Sequence, residues 1–114
     1  MVTYYRGVVN VDDMDPVFKA LADSHRRMLL DRLFERDGQM LIELQAGMPM
    51  TRFGVAKHLK ILEEAGLITT QKQGRAKFHY LNPLPIQQVY DRWVSKFSRP
   101  WSRLLIDIKE SLEE

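Results

Sequence analysis

Six basic side chains gather between residues 51 and 80: Arg52, Lys57, Lys60, Lys72, Arg75 and Lys77. Two acids, Glu63 and Glu64, stand with them, so this stretch carries six minus two, or +4. The whole chain has 17 basic and 15 acidic residues, which leaves 11 and 13 for the rest, a balance of −2. A basic patch on a slightly acidic body draws a polyanion to one face. A solvated charged face has the same composition, so charge alone leaves both readings open.

Spacing says more than charge. In MTRFGVAKHLKILEEAGL, residues 50–67, Thr51 suits a helix N-cap, and Val55, Leu59 and Leu62 recur as a buried stripe. At about 100° per residue, Phe53, Lys57 and Lys60 then point outward. Arg52 falls in the first turn, where free N–H groups meet a phosphate. Gly54 costs roughly 1 kcal/mol relative to alanine in a helix interior, so its presence asks for a reason. Gly54 and Ala56 keep the surface low, which would let the backbone approach a groove wall. His58 is expected on the flank, near the phosphates. Gly66 stops the helix. LITTQK and AKFHYL follow, rich in β-branched and aromatic residues and joined by Gln73, Gly74 and Arg75, which reads as a hairpin. Lys72, Arg75 and Lys77 lie at or beside its turn, placed to touch a nucleic-acid backbone.

Other elements must carry this pair. Residues 1–13 form an N-terminal arm. DDMDP reads as a helix start, with acids at the positive end and Pro16 in the first turn. A short helix is expected over Pro16 to Leu21, and a second over HRRMLLDRLFERDG, capped by Asp23 or Ser24, with Met28, Leu29, Arg32, Leu33 and Arg36 at helical spacing. Gly38 follows as a stop. A third helix fits Leu41 to Ala46 and is broken by Gly47 and Pro49. The order predicts a mainly α fold with a small β-hairpin: a winged helix-turn-helix over residues 14–83, whose second motif helix enters the DNA major groove. Residues 84–114 read as one C-terminal helix. Ile86, Tyr90, Trp93, Phe97, Trp101, Leu104, Ile108 and Leu112 make a continuous apolar seam, and Pro100 is expected to kink or break it.

A body this small cannot cover both sides of such a helix, and an exposed seam of that size marks an interface. A homodimer is therefore expected, joined through Val17, Phe18, Leu21, Tyr90, Trp93, Phe97, Trp101, Leu104 and Ile108. Two-fold symmetry would match an inverted-repeat operator on double-stranded DNA, with half-sites about one DNA turn apart.

VFKALADSHRRMLLDRL, the EL of LIELQAG, MTRFGVAKHLKILEEAGLI and GRAKFHYLNP together resemble ArsR-type winged-helix transcriptional repressors over roughly residues 14–84. The resemblance implies a homodimeric repressor that occupies operator DNA, with Arg52, Phe53, Gly54, Ala56, Lys57 and His58 on the base-reading face. Family members usually carry small polar residues where Phe53 and Gly54 stand. Neither forms a base-specific side-chain hydrogen bond, although Phe53 can touch a thymine methyl. The tail with Trp93 and Trp101 is similar to the metal-independent members. The sensing members hold metal with cysteines near the third helix, or with histidines and acids on the last one. This chain has no cysteine, and no histidine follows His79.

No metal, cofactor or enzyme activity is expected. The lack of cysteine excludes thiolate metal sites, disulfides and thiol switches. His25 lies beside two arginines, His58 and His79 fall in the DNA-binding half, and no histidine pair has i, i+4 spacing. No nucleophile–base set or phosphate-cradling glycine loop stands out, and Asp12, Asp13 and Asp15 suit helix capping. With no apolar run of about 18 residues and no signal peptide, no membrane partner is expected and a cytoplasmic location is. The alternative function is a winged-helix module that docks proteins through its long aromatic helix without reading DNA. No effector ligand is legible.

Overall fold

A computed structural model describes residues 13–113. Six helices, a π-helical segment and a two-stranded sheet follow in order: α1 (Asp15–Leu21), α2 (Ser24–Glu35), α3 (Leu41–Gln45), α4 (Arg52–Glu64), β1 (Ile68–Gln73), β2 (Ala76–Leu81), α5 (Leu84–Val89), the π segment (Tyr90–Val94) and α6 (Ser95–Glu113). The winged helix-turn-helix expected from the sequence is there. The expected arm lies outside the described residues except for Asp13.

Local chemistry explains the first two helices. α1 opens with Asp15 and Pro16 in its first turn. Its carbonyl end is closed from α2: Arg26 Nε donates to Ala20 O at 2.8 Å and Nη2 to Lys19 O at 2.9 Å, while Arg27 Nη1 donates to Leu21 O at 2.7 Å. Cations suit that negative end. Asp23, rather than Ser24, caps α2, accepting from the amides of His25 at 2.9 Å and Arg26 at 3.1 Å. α2 buries Leu29, Leu30 and Leu33. Met28, placed on the inner stripe by its spacing, is exposed, and Leu30 takes the inside position.

The core lies where α1, α2, α3, α4 and the start of β1 meet. Val17, Leu29, Leu33, Leu44, Val55, Leu62, Leu67 and Ile68 are fully enclosed there. Burying each large side chain is worth roughly 1.5–3 kcal/mol, so this cluster holds α4 against the body. Val17 has no exposed surface at all, which removes it from the expected dimer contacts: α1 faces its own core with that residue.

The wing is a tight antiparallel hairpin with Gln73 opposite Ala76 and Lys72 opposite Lys77. Gly74 makes its turn at φ +62°, a conformation L side chains rarely adopt. The base of the wing is tied down by bonds between residues far apart in the chain. Gln39 and His79 exchange backbone hydrogen bonds, His79 Nδ1 meets Gln39 O at 2.9 Å, and Asp37 Oδ1 accepts from Leu81 N at 2.8 Å. His79 is thus a buried structural residue.

The C-terminal helix departs from expectation at a different place. Its backbone stays helical through residue 100 to Glu113, so Pro100 does not end it. The irregularity is at Tyr90–Val94, where Ser95 N–H reaches back to Tyr90 O. The Asp91 carbonyl accepts instead from the Ser95 hydroxyl at 2.9 Å. A π turn takes up one more residue than an α turn, so the face after it is rotated from the face before it.

Candidate nucleic-acid interface

α4 is built as its sequence requires. Thr51 Oγ1 accepts from Gly54 N at 3.2 Å, and Val55, Leu59 and Leu62 are buried. Arg52, Phe53, Lys57 and Lys60 are exposed on the other side. Phe53 leaves 82% of its surface in solvent, at the helix end that would enter a groove first. Ile42 of α3 is also exposed, so the motif presents apolar as well as basic side chains.

The fold brings the wing and the helix together. Arg52, Ala56 and Lys60 of α4 and Arg75, Ala76 and Lys77 of the wing line one groove of about 690 Å³, with Leu41 and Ile42 of α3 at its side and Glu63 also on its wall. Glu63 accepts from Thr70 Oγ1 at 3.1 Å. Lys72 and Lys77 face each other across the hairpin. Like charges directly opposite destabilise a strand pair. Among the described residues, none of the six basic residues of this region makes an ion pair. No ion pair among the described residues therefore offsets the charge of the patch.

Two residues differ from the sequence reading. A Cβ on Gly54 would point at Met50, 3.4 Å from its Cβ, and not into open space. The position faces Met50, so the missing side chain does not lower the outer surface. His58 is half-buried and turned toward the start of α2, with Nδ1 3.2 Å from Arg26 Nη1. It does not share the outer face with Lys57.

Sequence reasoning missed a side-chain cluster. Asp23, His25 and His58 bring a carboxylate oxygen and two ring nitrogens within 4.8 Å of one another. Only folding makes His25 and His58 neighbours, so spacing along the chain held no signal for it. The Arg26 amide does most to hold the Asp23 carboxyl below its ordinary range; burial opposes it, and the His25 amide and the Arg26 and His58 charges add to the lowering. Glu43, at the start of α3, is held down likewise by the Met40 amide and then by Arg36.

The expected interface residues separate into two groups. Trp93 packs on Phe18 of the same chain, ring centroids 5.6 Å apart and tilted by 54°. It and the half-buried Leu21 are partly used within the body. Tyr90, Phe97, Leu104 and Ile108 are exposed. The side chain of Trp101 lies outside the described residues.

A helix-turn-helix domain family matches residues 21–71. An uncharacterised HTH-type transcriptional regulator of Bacillus subtilis (strain 168) is 38% identical over 86 residues, covering 70% of this chain and 94% of the relative. The arsenical resistance operon repressor of the same organism is 35% identical over 65 residues, covering 57% of this chain and 62% of that protein. A crystal structure of an ArsR family transcriptional regulator superposes with a TM-score of 0.69 at 30% identity, covering 83% of this chain and 96% of the other. Family, fold and the exposed basic helix-and-wing surface agree, and the chain belongs to the ArsR family of winged helix-turn-helix transcriptional regulators.

Proposed function

We propose that this regulator represses transcription in the cytoplasm by holding an inverted-repeat operator as a homodimer, reading it with α4 and clamping it with the wing. The observation that carries this reading is the groove shared by Arg52, Lys60, Arg75 and Lys77, whose charges have no acidic partner in an ion pair among the described residues. A phosphate backbone supplies the missing negative charge. Lys57 and Phe53 stand outside that groove on the exposed face of α4, where base edges are met. Lys57 donates to base acceptors, and Phe53 touches thymine methyls. The Lys72–Lys77 pair favours DNA over a protein-docking role, because side-by-side lysines at a hairpin weaken it unless a polyanion lies across them. α6 supplies the second half of the reading: its exposed apolar face meets the same face of a second copy, which sets two copies of α4 at a fixed separation.

The test is binding to the chain's own promoter region over a range of salt. Log affinity falls steeply with log salt, and Arg75→Ala reduces that slope by about one for each phosphate that Arg75 neutralises. Arg75→Ala weakens all sites evenly, whereas Lys57→Ala changes the preference among sites. If both variants bind like the parent, these residue assignments are wrong.

A further inference from the structure

We propose that Asp23, His25 and His58 form a site for one divalent cation of the zinc class, joining the start of α2 to the middle of α4. The three donor atoms lie within 4.8 Å of one another and come from half-buried side chains. His25 Nδ1 is 4.0 Å from Asp23 Oδ1, and the two imidazole rings have centroids 5.9 Å apart. Tetrahedral zinc, bound at about 2.0–2.2 Å, needs donors about 3.3 Å apart, a closure within reach of side-chain torsions. Two imidazoles and one carboxylate, with a fourth position left for water, suit a borderline cation such as zinc rather than calcium or magnesium.

Asp23 already works as a carboxylate. Its Oδ1 holds the cap of α2, and its Oδ2 comes no nearer to Arg26 Nη1 than 4.0 Å. The competitor for the site is Arg26, whose Nη1 is 3.2 Å from His58 Nδ1. Its Nε and Nη2 are bonded to the carbonyls of Ala20 and Lys19. Arg26 can therefore yield His58 to a metal and keep its place at the end of α1. No sensor site built from cysteines or from the last helix is involved.

Untagged protein titrated with zinc by calorimetry should show one saturable equivalent per chain. Cobalt bound to the same residues should show the visible absorption of a tetrahedral centre. His25→Gln should abolish both signals, and so should His58→Gln if that variant folds. Asp23→Asn keeps a good N-cap and removes the charge, so it should weaken zinc binding while the protein melts as a folded chain in chelator. His25 is not on the exposed face of α4, so His25→Gln should leave metal-free DNA affinity unchanged. Absence of a saturable isotherm overturns the site, as does a His25→Gln variant that binds zinc like the parent. The zinc isotherm and the cobalt absorption do not depend on whether the operator reading is correct.

Discussion

The winged-helix body and the helix that follows it use their apolar residues in opposite ways. In the body, Val55, Leu59 and Leu62 of α4 turn inward, and Leu62 is completely enclosed. In α6, Phe97, Leu104, Leu105, Ile108 and Leu112 all stand exposed, although they too recur on one side of a helix. Periodicity is therefore not burial: the same 3.6-residue repeat closes a core in one region and offers an uncovered face in the other. The π segment sits at the boundary. Before α6 begins, Trp93 is spent on Phe18 of its own chain; beyond it, the helix reaches away, and the molecule extends 64 Å along its long axis.

The largest test of this contrast is a pair of matched truncations. Leu62→Ala should lower stability by about 2–5 kcal/mol, the loss typical of a leucine removed from an enclosed site. Leu112→Ala, at an exposed site near the chain end, should change it by no more than about 0.5 kcal/mol. Urea unfolding of dilute protein compares them, and equal losses would erase the distinction.

Next in size is the effect of spoiling the uncovered face. Leu104→Glu is a cleaner probe than a change at Trp93, which also supports the body through Phe18. The variant should sediment as a monomer at micromolar concentration. Its operator affinity should fall roughly 100-fold or more, because two linked half-sites bind with greater avidity than one. A monomeric parent that still binds its operator tightly would sink the dimer.

Gly54→Ala probes a point on which sequence and structure disagree. The added Cβ meets Met50 at an ordinary van der Waals distance. Stability should rise by up to about 1 kcal/mol, the helix propensity difference, with operator affinity unchanged. A drop in affinity without a drop in stability would restore the idea that DNA approaches the Gly54 backbone.

Acid should produce the smallest effect, and it should fall on the body. Asp23 and Glu43 are both held below their ordinary range, so folding favours their ionised forms. Their contribution is complete above the unfolded-state values, near pH 4, and is lost as pH falls through the lower folded values. Thermal melts should be flat in this respect from neutrality to about pH 5 and decline below pH 4. Asp23→Asn should make that decline shallower.

Much of the body was legible because its signals are local. Thr51 before an apolar stripe, Gly74 between two β-rich runs, and Asp23 before the helix beginning at Ser24 each act over a few residues. The same holds for the exposed basic set, since Arg52, Lys57 and Lys60 follow directly from the phase of Val55, Leu59 and Leu62. The exceptions are equally physical. Met28 and Leu30 both fit the period of α2, and only the position of neighbouring helices chooses between them. Pro100 carries the strongest local breaking signal in the tail, but the backbone departs from α geometry upstream, where Ser95 gives Asp91 O a replacement donor.

What the sequence determined by itself, then, is the order of elements, the inner and outer faces of α4 and the location of the positive charge. Each of these depends on residue type within one or two helical turns. Tertiary structure alone decided that four cations from α4 and the wing share one groove, that Val17 is spent in the core, and that Asp23 and His25 meet His58. Those outcomes depend on how helices and strands pack across long separations in the chain, a quantity that no local period contains.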